Sequence, residues 1–244
     1  MEELDRWQAA SADSLKNHQF YVNLLNDVAL GSLVDLLVGM TPGEQLPSER
    51  DLTQRLQISR NTLRDRIGKL ESMGVLTRKE RQGTFFSGLQ PEQVGNVLVL
   101  SMMFQQMTYE SLISVRHALE RQAVIEACRN ATPETLEAIA KAIENMQSTE
   151  DGPELLAADW AFHHALFAAS ASPALLFFSQ MLHGVLQGTL RPLTLEWDFK
   201  TMRRVHADVF RAVEARDPVA ATVAIDAHFE WLYELRNREI NGSI

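Results

Sequence analysis

Two groups of residues in this 244-residue chain have the types and spacing to do chemistry. In "DWAFHHAL", Asp159 and His163 are four positions apart, so on a helix they share one face, one turn from each other. A carboxylate and an imidazole placed this way can ligate one metal ion, or simply hydrogen-bond to each other. His206 in "RRVHADVF" and His228 in "ATVAIDAHFEWL" lie in two later segments, each with apolar residues at helical spacing that can turn the ring inward. Three imidazoles and a carboxylate form a donor set suited to Zn²⁺, Ni²⁺ or Mn²⁺. Spacing alone leaves open whether the four residues meet. His18, His117, His164 and His183 have no such partners in sequence and are expected to be structural.

The second group is cationic. Ser48 to Phe86 carries nine Lys/Arg against five Asp/Glu, a surplus of four positive charges. From Pro91 onward 12 basic residues face 20 acidic ones, and the whole chain has a formal charge of -9. This division indicates that one part meets an anion and the other does not. On a helix that Ser59 begins, Arg60, Asn61 and Arg64 face away from the stripe Leu63, Ile67 and Leu70, with Thr62 near its edge. A helix divided in this way can enter the major groove, where arginine bonds guanine O6 and N7 in parallel. Arg50, and a tip formed by Arg81, Gln82, Gly83 and Thr84, are placed for phosphates. Charge by itself equally allows an ordinary solvated helix face.

These side chains need elements to hold them. The pattern predicts a helix over Val28–Val38, broken by "GMTPGEQLP". Ser48 and Ser59 each precede a further short helix as N-caps, with Asp51 three residues after Ser48 as in a capping box, and Gly74 stands at C′ of the second. "VLTRKERQGTFF" then reads as a hairpin turning at Gly83. The result is a winged helix-turn-helix over 25–88, preceded by an N-terminal arm (1–24) and followed by the linker "SGLQPEQ". Over 94–240 the chain reads as an all-helical bundle of six or seven helices, 12 to 20 residues each, so the fold class is mostly α. Thr132-Pro133, Ser172-Pro173 and Asp217-Pro218 mark three helix starts.

The remaining composition narrows the setting. A lone cysteine, Cys128, allows no internal disulfide and fits a reducing compartment. The start lacks a basic and apolar leader, and the longest apolar run is too short to span a bilayer. A cytoplasmic location without a membrane partner is expected.

The order of residues in "LPSERDLTQRLQISRNTLRDRIGKLESMGVLTRKERQGTFF" resembles the DNA-binding domain of the GntR family of bacterial transcription regulators. Gly39, Pro42, Gly43, Leu46, Pro47, Ser48, Glu49, Arg50, Ser59, Arg60, Thr62, Arg64, Gly83, Thr84 and Phe85 fall in register with its motif. The resemblance implies that Arg50, Arg60, Asn61, Thr62, Arg64 and Gly83 contact operator DNA, and with Ser59, Arg81 and Thr84 they make up the expected DNA-binding face. Arg66 stands where the family carries alanine, and is expected to add a phosphate contact or to bend the local packing.

"SLISVRHALE", "DWAFHHAL" and "RVHADVFRAVEARDPVAATVAIDAHF" are similar to the FCD ligand-sensing domain of the FadR branch of that family. That resemblance implies a divalent metal ion held by Asp159, His163, His206 and His228, and a carboxylate effector paired with Arg116. Ser172 departs from the commoner Asn-Pro but still caps a helix. The expected protein is an effector-responsive DNA-binding regulator, acting as a repressor. It would be a homodimer on operator DNA, sense a small organic or sugar acid, and have no catalytic residues. Two alternatives use the same residues: a metal-sensing repressor, and a metal-dependent hydrolase or lyase.

Overall fold

The computed structural model describes residues 26–105, 107–189 and 199–242. The arm expected over 1–24, with His18, lies outside them. The chain divides into two compact units at Gln93/Val94.

The first unit opens with α1 (Val28–Val38), whose N-cap Asp27 accepts a hydrogen bond from the Leu30 amide. Ser48 caps α2 (Glu49–Leu56) by accepting from the Asp51 amide, while its hydroxyl donates to the Asp51 carboxylate at 2.7 Å. Gln57 leaves α2 in the left-handed region (φ 55°) and turns the chain into α3 (Arg60–Ser72). Ser59 caps α3 through the Thr62 amide. At the other end Gly74, at φ 77°, lets Val75 N–H reach Leu70 O and its own N–H reach Glu71 O. This pair of bonds is a Schellman ending, and the positive φ is why glycine stands there.

Strands β1 (Leu76–Lys79) and β2 (Gly83–Phe86) pair antiparallel, Leu76 opposite Phe86 and Lys79 opposite Gly83. The stretch before α2 adds to the free edge of β2: Gly43 N–H donates to Phe86 O and Leu46 N–H to Thr84 O. Leu33, Leu52, Leu63, Ile67 and Leu76 close the core under these elements. Each is almost wholly removed from water, and burying one such side chain is worth about 1.5–3 kcal/mol.

The second unit is helical throughout among the described residues. It comprises α4 (Pro91–Gln105), α5 (Tyr109–Asn130), α6 (Pro133–Ser148), α7 (Gly152–Ala169), α8 (Pro173–Thr189), α9 (Phe199–Glu214) and α10 (Pro218–Gly242). Two of these, at 22 and 25 residues, exceed the expected length. Thr132 and Thr135 close a capping box on α6, and Asp217 takes the Val219 and Ala220 amides at the start of α10. Two arginines close helix ends from a distance. Arg216 donates to Ala127, Cys128 and Ala131 carbonyls at the end of α5, and Arg203 to Met146 and Thr149 after α6. A cation satisfying orphan carbonyls also opposes the negative end of the helix dipole.

Helix α5 is central and packs against α7, α8, α9 and α10. Ile113, Val124, Phe162, Leu166, Val209 and Phe229 fill the space between them. No described helix is long and apolar enough to cross a membrane.

Candidate metal centre and nucleic-acid face

In the first unit, the capped start of α3 leaves Ser59, Arg60, Asn61 and Arg64 exposed, with Thr62 half-buried. Arg50 on α2 is among the most exposed arginines, its side chain 77% accessible. Arg64 Nε donates to Glu49 Oε2 at 2.9 Å, and Arg78 approaches the other oxygen of Glu49. Arg64 is therefore tethered across to α2 while its side chain stays largely in solvent.

The wing tip is shaped by Arg81 at φ 59° and Gly83 at φ 109°. Gln45 Nε2 donates to Gln82 O at 2.6 Å and lies so close to Gly83 that an added Cβ would sit 2.7 Å from it. Arg81 and Gly83 are exposed and Thr84 is half-buried.

Arg66 is paired within the first unit. Its Nε lies 2.6 Å from Asp27 Oδ2, it also bonds Asp65, and its side chain is only 23% exposed. The guanidinium ties α3 to the N-cap of α1. Burial raises the Asp27 pKa, but the Leu30 amide and Arg66 more than offset it, so the carboxyl sits below its usual range.

In the second unit, four helices bring the ionisable groups to one place. Asp159 and His163 come from α7, His206 from α9 and His228 from α10, and their ligand atoms all lie within 4.8 Å of one another. Asp159 Oδ1 is 2.9 Å from His206 Nε2 and 3.6 Å from His163 Nε2. The three imidazole rings have centroids 4.6 to 5.3 Å apart. All three histidines are buried.

The fit to a metal can be tested on the nitrogens. His163 Nε2, His206 Nε2 and His228 Nδ1 are buried without an aligned hydrogen bond. The short Asp159–His206 approach is a matter of distance, not of N–H alignment. The outer nitrogens are satisfied elsewhere: His206 Nδ1–H donates to Met202 O at 2.7 Å, and His163 Nδ1 bonds Glu120 Oε2 at 2.7 Å. Metal–ligand bonds of about 2.1 Å place cis ligand atoms roughly 3–3.5 Å apart, close to the 2.9 and 3.6 Å between Asp159 and two of the rings, with the whole set within 4.8 Å. The residues fit a divalent cation.

At two of the four residues the electrostatics favour the ligating form. Burial alone would raise the Asp159 pKa, yet His163 and His206 hold it well below the carboxylate range. Burial, reinforced by His206 and His163, holds His228 well below the usual imidazole value, which favours the neutral, ligating ring. His163 is pushed down by burial and by Arg116, but Glu120 and Asp159 outweigh both and raise it.

Arg116 is buried on α5, its Nε donating to Glu120 Oε1 at 2.6 Å and its guanidinium 5.1 Å over the Trp160 ring. Glu120 escaped the sequence reading. The signal was present: Ile113, Arg116, Glu120, Val124 and Ala127 fall on one helical stripe, so two charges occupy core positions. The isolated histidines have ordinary partners. His117 stacks on Phe229 and bonds Asp226, His183 meets the edge of Trp160, and His164 lies 3.4 Å from Gln180.

Comparison with known proteins gives two family matches: "Bacterial regulatory proteins, gntR family" over residues 33–86 and "FCD domain" over 111–230. An Escherichia coli protein described as an L-lactate dehydrogenase operon regulatory protein is 30% identical over 205 residues, spanning 80% of this chain and 79% of that one. The HTH-type transcriptional regulator LutR of Bacillus subtilis is 29% identical over 196 residues, 78% of this chain and 90% of its own length. The Glc operon transcriptional activator of Escherichia coli is 26% identical over 212 residues, 82% and 84% of the two chains. Among solved structures, a GntR protein of Streptococcus agalactiae shares the fold with a TM-score of 0.64 at 19% identity, covering 84% of this chain and 97% of that one.

Proposed function

The chain belongs to the GntR family of bacterial regulatory proteins, with an FCD domain after its DNA-binding domain, and from that premise we propose an effector-responsive repressor that senses a small carboxylate beside a metal ion. Operator binding falls to a DNA-binding domain over 25–88, with Arg50, Ser59, Arg60, Asn61, Thr62, Arg64, Arg81, Gly83 and Thr84 as its contact residues. A domain over 94–240 binds the effector and pairs two copies on a pseudo-palindromic operator. The relatives being regulators, a hydrolase or lyase reading of the Asp/His set is set aside.

The observation that carries this reading is the convergence of Asp159, His163, His206 and His228, with three buried nitrogens that lack aligned hydrogen bonds. These four residues would hold Zn²⁺, Ni²⁺ or Mn²⁺. Bound there, the ion supplies positive charge that favours an anionic ligand. Arg116 supplies the second cationic group, able to hold a carboxylate by a charge-assisted bond. A buried anion is tolerable only where such charges compensate it. A relative's association with an L-lactate dehydrogenase operon makes small hydroxy acids the first class to try.

The segment Gly88–Gln93, whose last three residues open α4, joins the two units, so a ligand that draws α5, α7, α9 and α10 together has a covalent route to α3. The ligand shifts that equilibrium only by its differential affinity for the two states. The test is operator affinity measured across a panel of carboxylates, with and without Zn²⁺, for wild type and Arg116→Lys. Weaker operator binding with an acidic effector, lost in the variant, supports the reading. A response to Zn²⁺ alone would favour the metal-sensing repressor, and a response to neutral ligands only would reject the carboxylate.

A further inference from the structure

Glu120 is wholly buried on α5. Its two oxygens are divided between partners with different tasks. Oε1 accepts from Arg116 Nε at 2.6 Å and Oε2 meets His163 Nδ1 at 2.7 Å. A carboxylate taken out of water needs such partners, and an i,i+4 arginine alone would have satisfied an ordinary structural pair. Here the second oxygen crosses from α5 to α7 and meets one of the four ligating residues. His206 is oriented differently, by a backbone carbonyl that no side-chain change removes.

We propose that Glu120 is a positioning residue that makes the metal ligand His163 and the effector arginine Arg116 a single unit. By accepting from Nδ1–H, the carboxylate keeps Nε2 of His163 turned toward Asp159 and the other imidazoles. A carboxylate in this place orients a ligating ring and increases its basicity, and its loss typically weakens metal affinity 10–100-fold. The same carboxylate anchors the Arg116 guanidinium over Trp160. An anion that draws Arg116 therefore alters the bond that orients His163. Coupling of this kind is reciprocal, so metal strengthens effector binding by the factor by which effector strengthens metal binding. The inference rests on the metal and effector reading above.

The experiment is Zn²⁺ affinity by competition with a chromophoric chelator, on the full chain, for wild type, Glu120→Gln and Glu120→Asp. It is paired with long-range ¹⁵N–¹H spectra of the His163 ring in the Zn²⁺-loaded proteins. Glu120→Gln keeps the shape but can either accept from or donate to Nδ1. It is expected to lower Zn²⁺ affinity 10–100-fold and to change the His163 ring pattern, with Glu120→Asp in between. If Glu120→Gln fails to fold, Glu120→Asp alone carries the comparison, with a smaller loss in the same direction. Wild-type affinity in every folded variant overturns the proposal. So does a lowered affinity with the His163 pattern unchanged, since that is a general structural effect. A wild-type protein that takes up no Zn²⁺ removes the metal reading, and this inference with it.

Discussion

His206 Nε2 stands 2.9 Å from Asp159 Oδ1, across two helices, without the alignment of a hydrogen bond. Since His206 Nδ1–H is committed to Met202 O, Nε2 is the ring nitrogen left to face that carboxylate oxygen. A ring nitrogen and a carboxylate oxygen at this distance need a cation or a proton between them.

That relationship predicts stabilisation by metal. An ion that binds only the folded chain adds about 2.7 kcal/mol at a hundredfold excess over its dissociation constant. For a unit of this size that is roughly a 5–10 °C rise in melting temperature. Scanning calorimetry with and without a strong chelator should show the drop, and His206→Ala or His228→Ala should abolish it. A protein indifferent to both chelator and added Zn²⁺, Ni²⁺ or Mn²⁺ counts against the site.

The exposed arginines of α3 predict how DNA is read. Arg60→Ala or Arg64→Ala should cost about 1–3 kcal/mol at a cognate operator and relax sequence preference. Arg81→Ala should instead flatten the dependence of affinity on salt, because a phosphate contact releases counterions. Fluorescence anisotropy over a salt series separates the two classes.

Asp27 and Arg66 predict a pH dependence in the first unit. The folded Asp27 carboxyl is lowered, so it stabilises the fold above its unfolded value of about 3.9 and loses that contribution as pH falls through the folded value. Arg66→Ala should destabilise this unit at neutral pH, modestly because the pair is partly screened by solvent. The gap between variant and wild type should shrink in denaturant titrations below about pH 4. A gap that is constant with pH would show that the pair contributes nothing.

Gly83 predicts a requirement at the wing. At φ 109°, with Gln45 Nε2 only 2.7 Å from an added Cβ, Gly83→Ala strains the backbone and displaces the Gln45 bond to Gln82 O. Holding a side-chain-bearing residue in that backbone region costs of order 1–3 kcal/mol. Operator binding should weaken several-fold while the melting of the helical unit stays unchanged, which differential hydrogen exchange can localise to the wing.

Much of this molecule is local chemistry, and the sequence determined it. Ser48, Ser59, Thr132 and Asp217 cap helices because their side chains accept amide bonds within three residues. Gly74 ends α3 because the chain there needs positive φ, and the Leu63–Ile67–Leu70 stripe sets the buried face of α3 without reference to anything distant. The pairing of Asp159 with His163 was equally readable, being one helical turn. What tertiary structure decided are the relations that cross helices. Arg66 showed no partner by its position in α3, and it pairs with Asp27 because the N-cap of α1 places a carboxylate within reach. His206 and His228 had inward faces on any helical wheel, but only the packing of α7, α9 and α10 around α5 brings them to Asp159. Glu120 completes the same lesson. Its place on the core stripe showed a buried charge, yet which two groups compensate it depends on α5 and α7 meeting side by side, and helical periodicity carries no information about the register between helices.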